Sequence, residues 1–371
     1  MSTTPRHLVI MAAGTGGHIM PGLAVAEDMK RRGWTVSWLG TENGMENRLV
    51  PPAGIELDKI TFSGLRGKGF KGGLQGALKL VKSFAECWSI LRKRQATAVL
   101  GMGGYVCFPG GLMAKLRGLP LIMVNADAAL LLSNKALLPI TDVLACGFDG
   151  AASQRSVARV TGNPVRAEIE AIAPPDQRFA DREGPLRILV VGGSLGAKAL
   201  NDAVPQALAR LPVDQRPRIT HQTGMANFAE VKADYVKAGL DPAKDAEVLP
   251  FINNMAKRLA ECDVIICRAG AITVSELCAA GVPSILIPLV VSTTAHQRDN
   301  AEYMDQHGAA VHLPQAELNA ESLAARLQAM NRDDLLVMAR RARKLGRLQA
   351  AAAVADAIEQ QVQPASKGAS A

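Results

Sequence analysis

Only 4% of the residues are aromatic, too few for the stacking platforms that hold single-stranded nucleic acid. Of the six cysteines (Cys87, Cys107, Cys146, Cys262, Cys267 and Cys278), no two form a C-x-x-C pair and none shows zinc-ligand spacing. Most lie in apolar segments, where they read as small core residues of a reduced, cytoplasmic protein. Long hydrophobic runs are missing as well. The stretch Ile285–Val291 contains Pro288 and is too short to span a bilayer. The first residues offer one arginine and a brief apolar run that ends in glycines, which does not fit a signal peptide.

What the chain does have is apolar bulk and positive charge. Apolar residues make up 48% of its 371 positions, more than one ordinary α/β core needs and enough for two. The net charge of +8 points to an anionic partner: nucleic acid, a phosphate-bearing substrate or an acidic membrane surface. A weak internal echo supports two halves. "HLVIMAAGTGGH" near the start is matched by "LRILVVGGSLGA" at Leu186–Ala197, each reading as strand, glycine turn and helix. Continuous apolar runs recur through both halves, as parallel strands covered on both faces require. The strands read from the pattern are His7–Met11, Thr35–Leu39, Ala98–Gly101, Leu121–Val124, Val143–Ala145 and Arg159–Val160, then Arg187–Val191, Arg218–Gln222, Ala246–Leu249, Val264–Cys267, Ser284–Ile287 and Ala310–Leu313, several of them such runs. We place the boundary near Pro164, giving Rossmann-like domains over 1–163 and 164–345. The segment 346–371 is a terminal helix, expected to return to the first domain, and a disordered tail. The helical pattern at this end spans Asp333–Gln361.

Glycine turns follow three of the strands: Gly14–Gly17, "GMGGY" at Gly101–Tyr105, and "GGSLG" at Gly192–Gly196. A fourth turn, "CRAGAITVSE", follows the strand ending at Cys267. Glycine lets the backbone approach a phosphate, and the next helix presents free N–H groups to it. "GTGGH" is not the dinucleotide pattern G-x-G-x-x-G, although Glu42 after the second strand keeps a nicotinamide cofactor formally open. His18 reads as the first residue of the helix. A helix N-terminus lowers its pKa, which suits a general base. Gly270–Thr273 reads as a phosphate-binding helix start. Glu276, a turn further in, could accept two vicinal hydroxyls, and Gln297 in "HQRDNA" could bond sugar hydroxyls.

"GTGGHIMPGLAVAE", "WLGTENGMENRLVP", "GLRGKG", "VLGMGGYVCFPGGLMA", "GNPVR", "VVGGSLGA" and "CRAGAITVSELCAAG", in this order, resemble the MurG family of peptidoglycan glycosyltransferases over nearly the whole chain. The resemblance implies the glycosyltransferase B fold, two Rossmann-like domains with a deep cleft between them. It implies inverting transfer of N-acetylglucosamine from UDP-N-acetylglucosamine to the 4-hydroxyl of lipid I, giving lipid II, with no metal or other cofactor. The chain indeed contains no D-x-D motif. Carried over by position, Arg166 and Ser194 contact the donor, the backbone of Ile252 reads uracil, and Ala271, Ile272, Thr273, Val274, Ser275 and Glu276 bind phosphate and ribose. Gln297 binds the sugar. Thr15, Gly16 and Gly17 close on the donor–acceptor junction, and His18 deprotonates or orients the acceptor hydroxyl. One departure stands out. The family's "HEQN" is replaced by Val124, Asn125, Ala126 and Asp127, so a candidate acid/base Glu is missing and Asp127 becomes the competing catalytic and sugar-binding residue.

The basic loop Gly64–Gly73 offers Arg66, Lys68 and Lys71 to a lipid pyrophosphate, with Tyr105 on the same acceptor side. Leu74–Arg94 reads as a helix with Leu74, Leu78, Val81, Ala85, Trp88 and Leu91 on one stripe, taken mainly as a core face. The implied partners are UDP-N-acetylglucosamine, lipid I, the cytoplasmic face of an anionic inner membrane and other cell-wall enzymes, without nucleic acid. Two other readings compete. One is a UDP-N-acetylglucosamine epimerase of the same fold. The other is a membrane-associated binding protein that lost activity together with "HEQN".

Overall fold

A computed structural model describes residues 6–14, 16–61, 70–193, 195–241, 244–289 and 296–362; side chains are described outside 70–78, 132 and 133. The chain divides into two compact units, 1–166 with 349–371, and 167–348.

The first unit is built on β1 (His7–Ala12), β2 (Thr35–Thr41), β3 (Glu56–Ile60), β4 (Ala98–Gly103), β5 (Leu121–Asn125), β6 (Val143–Cys146) and β7 (Ala158–Val160). Their order in the sheet is β3-β2-β1-β4-β5-β6-β7, and every pairing is parallel. The second unit carries β8 (Arg187–Val191), β9 (Arg218–Gln222), β10 (Ala246–Leu249), β11 (Val264–Cys267), β12 (Ser284–Leu286) and β13 (Val311–His312). Its order is β10-β9-β8-β11-β12-β13, again all parallel. The halves thus share one topology. Each reverses direction beside its first strand, between β1 and β4 and between β8 and β11. The central strands are buried on both faces, which explains their unbroken apolar runs.

β3 escaped the hydropathy reading because "ELDKI" is an edge strand. Glu56 and Lys59 are exposed, and Asp58 is paired with Arg94 at 2.6 Å.

Two further expectations are corrected. The terminal helix is two helices, Arg332–Leu345 and Ala350–Val362. It breaks at Gly346, whose Cα lies so close to the backbone of Cys278 that a Cβ would come within 2.7 Å of the carbonyl oxygen. The first piece packs in the second unit and the second in the first. There Val354, Ala355, Ala357 and Ile358 join the core, and Arg32 bonds Asp356 at 2.6 Å and Glu359 at 2.9 Å.

The stripe on the helix Phe70–Lys93 is also not a core face throughout. Ser83, Cys87 and Leu91 turn inward, with Leu80 and Phe84 packed beside them. Val81 is 66% exposed and Trp88 40%, and Ala85 lies between them on the solvent side. Period alone could not tell which of two adjacent stripes would be buried.

Candidate active site

In an open parallel sheet, ligands bind beyond the carboxyl ends of the strands at the point where strand order reverses. In the first unit, the "GTGG" turn after β1 and the "GMGG" segment at the end of β4 flank that point. In the second, "GGSLG" after β8 and "RAGA" after β11 do.

Beyond β1, the helix begins at Gly16, so His18 is its third residue rather than its first. Thr15 lies outside the described residues. Gly16 and Gly17 form the helix's first turn, where N–H groups have no partner within the helix. The His18 ring lies against Gly103, where a Cβ would sit 2.7 Å from Cδ2 and 2.8 Å from Nε2. Gly103 has φ +128° and Gly104 +89°, and a Cβ on Gly104 would strike the Ala13 carbonyl at 2.4 Å. The Gly104 and Ala13 backbones are therefore pressed together, and a side chain at Gly103 would displace the His18 ring. His18 Nδ1 lies 3.4 Å from the Ala13 carbonyl oxygen, which can only accept. The proton then sits on Nδ1 and leaves the Nε2 lone pair for a substrate. Burial lowers the His18 pKa below the ordinary imidazole value; the Ala13 contact and the Asp127 charge act in the opposite direction.

A residue the sequence reading missed holds this turn from behind. Glu46 is fully buried. One carboxylate oxygen accepts from the Gly14 N–H at 3.2 Å. The other accepts from the Thr41 N–H at 2.8 Å and the Thr41 hydroxyl at 2.6 Å. Gly40 and Gly44 make room: a Cβ on Gly44 would lie 1.9 Å from Oε2, and one on Gly40 2.7 Å from Cγ.

The altered "VNAD" segment has a clear local role. Asn125 is fully buried, and its amide donates to the carbonyls of Asp127 at 2.8 Å and Ala129 at 3.1 Å. Its oxygen accepts from the Leu131 N–H at 3.0 Å and from Asn134 Nδ2 at 3.1 Å. Asn163 adds a bond to the Ala126 carbonyl at 2.7 Å. Asn125, which stands where the resemblance expects the candidate acid/base Glu, is thus an amide committed to shaping the loop. Asp127 stands on that loop, half-buried and within electrostatic reach of His18.

In the second unit, Gly270 caps the helix Ala271–Ala280, and among the described residues no side chain occupies its N-cap position. The N–H groups of Ala271, Ile272 and Thr273 open the helix. Val274 is different: its side chain is fully buried and its N–H donates to the Gly270 carbonyl at 2.9 Å, so it supports the helix start from inside. Ser275 likewise turns its hydroxyl back to the Ala271 carbonyl at 2.9 Å. Glu276 is half-buried one turn further on. Ile252, in the turn after β10, is buried and lines a cavity of about 310 Å³ with Phe251, Asn253 and Asn254. Gln297 accepts from the Leu289 N–H at 2.9 Å. Ser194 falls outside the described residues, as do the side chains of Arg66, Lys68 and Lys71. Tyr105 is exposed beside the β4 turn, and Arg166 is the half-buried last residue before the second unit.

Two doubly wound parallel units, each with glycine turns on both sides of its strand reversal, are the architecture of the glycosyltransferase B fold. The N-terminal domain model of glycosyltransferase family 28 matches residues 8–143, and its C-terminal domain model matches 187–361. The chain belongs to glycosyltransferase family 28. It is 66% identical over 97% of its length, and 98% of the relative's, to the UDP-N-acetylglucosamine–N-acetylmuramyl-(pentapeptide) pyrophosphoryl-undecaprenol N-acetylglucosamine transferase of Methylibium petroleiphilum. It is 63% identical over 96% of its length, and 98% of the relative's, to the protein of that name from Chromobacterium violaceum. Among solved structures, Acinetobacter baumannii MurG is similar with a TM-score of 0.83 at 37% identity, over 96% of this chain and all of that one.

Proposed function

We propose that this chain transfers N-acetylglucosamine from UDP-N-acetylglucosamine to the 4-hydroxyl of undecaprenyl-pyrophosphoryl-N-acetylmuramoyl-pentapeptide, converting lipid I to lipid II with inversion. The observation that carries the chemistry is the His18 geometry. A neutral imidazole, bonded through Nδ1 to the Ala13 carbonyl, lies beside Gly103 at the strand-reversal point of the first sheet and keeps Nε2 as an acceptor. A single displacement needs such a base on the acceptor hydroxyl. It also needs positive potential on the departing diphosphate, which the Ala271–Thr273 amides offer without a cation. Glu276 then takes the ribose hydroxyls, and Gln297 the sugar. The near-complete match to transferases named for this donor and acceptor selects the substrates.

The reading extends to a membrane surface. No helix among the described residues is long and apolar enough to cross a bilayer. The helix Phe70–Lys93 nevertheless exposes Val81, Ala85 and Trp88, with Lys82, Arg92 and Lys93 on the same solvent side. Arg117 lies 5.0 Å over the Trp88 ring, and the exposed Leu116 and Phe108 extend the apolar face. Apolar side chains rimmed by cations suit peripheral binding to anionic lipid on the cytoplasmic side, where a lipid-linked acceptor would be met.

The test is UDP release by purified protein. Release should require both UDP-N-acetylglucosamine and a lipid I analogue. Release or epimer formation with donor alone would favour the epimerase, and donor binding without turnover would leave a binding protein.

A further inference from the structure

We infer that Gln222 is the positioning residue that holds two loops of the second unit in one donor-binding shape; this rests on the reading that the carboxyl edge of the second sheet takes the UDP-sugar. Gln222 is the last residue of β9 and is nearly fully buried. Its side-chain oxygen accepts from the Gly193 N–H at 3.1 Å. Its Nε2 donates to the Gly193 carbonyl at 2.9 Å and to the Pro250 carbonyl at 3.2 Å. Every proton of the amide is used. The orientation is also fixed, because a flipped amide would set its oxygen against two carbonyl oxygens and its NH₂ against an N–H.

The two loops it joins come from β8 and β10, the strands on either side of β9. The β8 loop is held by its neighbours, and Thr223 N–H also bonds the Leu249 carbonyl at the end of β10 at 3.0 Å. Gly193 has φ +84° and Gly196 +76°, a region most side chains avoid. The turn after β9 presses on the β8 loop so closely that a Cβ on Gly196 would lie 2.1 Å from the Thr223 carbonyl oxygen, and one on Gly224 2.6 Å from the Gly196 nitrogen. Asn227 adds a bond to the Leu195 carbonyl at 3.1 Å. These contacts fix the β8 loop against β9. The bond to Pro250 carries that constraint across to the β10 loop, whose next residues line the cavity at Ile252. A nucleotide diphosphate sugar is long enough to need both loops at once. Its affinity then depends on their spacing being set before it arrives.

The test uses the full-length protein with two variants. Gln222→Met keeps the length and removes all three bonds. Gln222→Glu keeps the acceptor for Gly193 but sets a carboxylate oxygen against both carbonyls. Each should raise the donor KM and the UDP dissociation constant by about tenfold or more, with kcat at saturating donor and the KM for the lipid acceptor within about threefold of wild type. Thr220→Val, two residues earlier in β9, should leave the donor KM unchanged. If Gln222→Glu does not fold, Gln222→Met decides. Variants that fold and bind UDP within twofold of wild type would overturn the inference. So would an equal loss of donor and acceptor affinity, which would mark a residue that only stabilises the unit. UDP affinity is measured without acceptor, so a wild type that binds UDP but transfers nothing would overturn the transfer reading while the variants still decide the role of Gln222.

Discussion

Replacing Glu46 with Gln removes a single charge and no volume, yet it should reach the catalytic turn. The native carboxylate satisfies three donors with two acceptor oxygens: Gly14 N–H, Thr41 N–H and Thr41 hydroxyl. A glutamine has one acceptor. Facing it toward Thr41 saves two of the bonds and turns an NH₂ group toward the Gly14 N–H. A buried donor then opposes a donor, and the Gly14 amide loses its partner. An unsatisfied buried group costs about 1–3 kcal/mol, and the two surviving bonds lose their charge assistance, so about 2–4 kcal/mol in total is expected. The first unit should lose roughly 4–16 °C, taking about 2–4 °C per kcal/mol for a unit of this size. The chain has two units and need not unfold in one step, so the loss is read from the transition that Glu46→Gln moves. Gly14 precedes the turn that carries His18, and displacing a reacting group by an ångström can cost about 10²-fold in rate. The expected kcat is therefore about 10–100-fold below wild type, with the donor KM unchanged. Gly44→Ala tests the same contact from the other side, because its methyl would lie 1.9 Å from the carboxylate oxygen. Calorimetry and steady-state UDP release with a lipid I analogue read both effects. A Glu46→Gln variant with wild-type melting would refute the hydrogen-bond argument. One that melts early but turns over normally would refute the link from Glu46 to the catalytic turn.

His18→Ala should lower kcat about 10²–10⁴-fold at nearly constant donor affinity and abolish an acid limb lying below the ordinary imidazole value, since burial lowers the His18 pKa. If Asp127→Ala is dead while His18→Ala is active, the aspartate is the base. EDTA or added magnesium should change the rate by less than about twofold, because helix-start amides meet the diphosphate; loss in chelator restored by manganese would contradict this. His221 is buried between Tyr235 (Nδ1 to OH, 3.1 Å) and Asn201 (Nε2 to Oδ1, 3.2 Å), and burial pushes its pKa down to about 3. The unfolded chain takes up that proton near pH 6.5, whereas the native one does not. The stability contributed by neutral His221 is therefore complete above about pH 6.5 and falls by up to about 1.4 kcal/mol per pH unit below it, down to about pH 3. Urea titrations between pH 8 and 4 should show a shallower fall for His221→Gln; an identical slope would exclude His221 as a source.

Much of this protein was legible in local pattern. Twelve strands were legible, the central ones as apolar runs, because a parallel sheet covered on both faces leaves its central strands no polar side. The glycine turns stood out because only glycine takes the positive φ found at Gly14, Gly103, Gly193 and Gly196 without strain. Their order along the chain was enough to carry the family resemblance. The tertiary structure decided what pattern cannot hold. Glu46 meets Gly14 from 32 positions away, and Gln222 meets Gly193 from 29. In sequence each is an ordinary polar residue; its role exists only once parallel strands bring distant turns side by side. The same holds for the helix Phe70–Lys93, where two apolar stripes run close together. Packing against the sheet buried the one through Ser83, Cys87 and Leu91 and left Val81, Ala85 and Trp88 to solvent. Periodicity describes a helix's own faces, and the neighbour it packs against settles which of them becomes core.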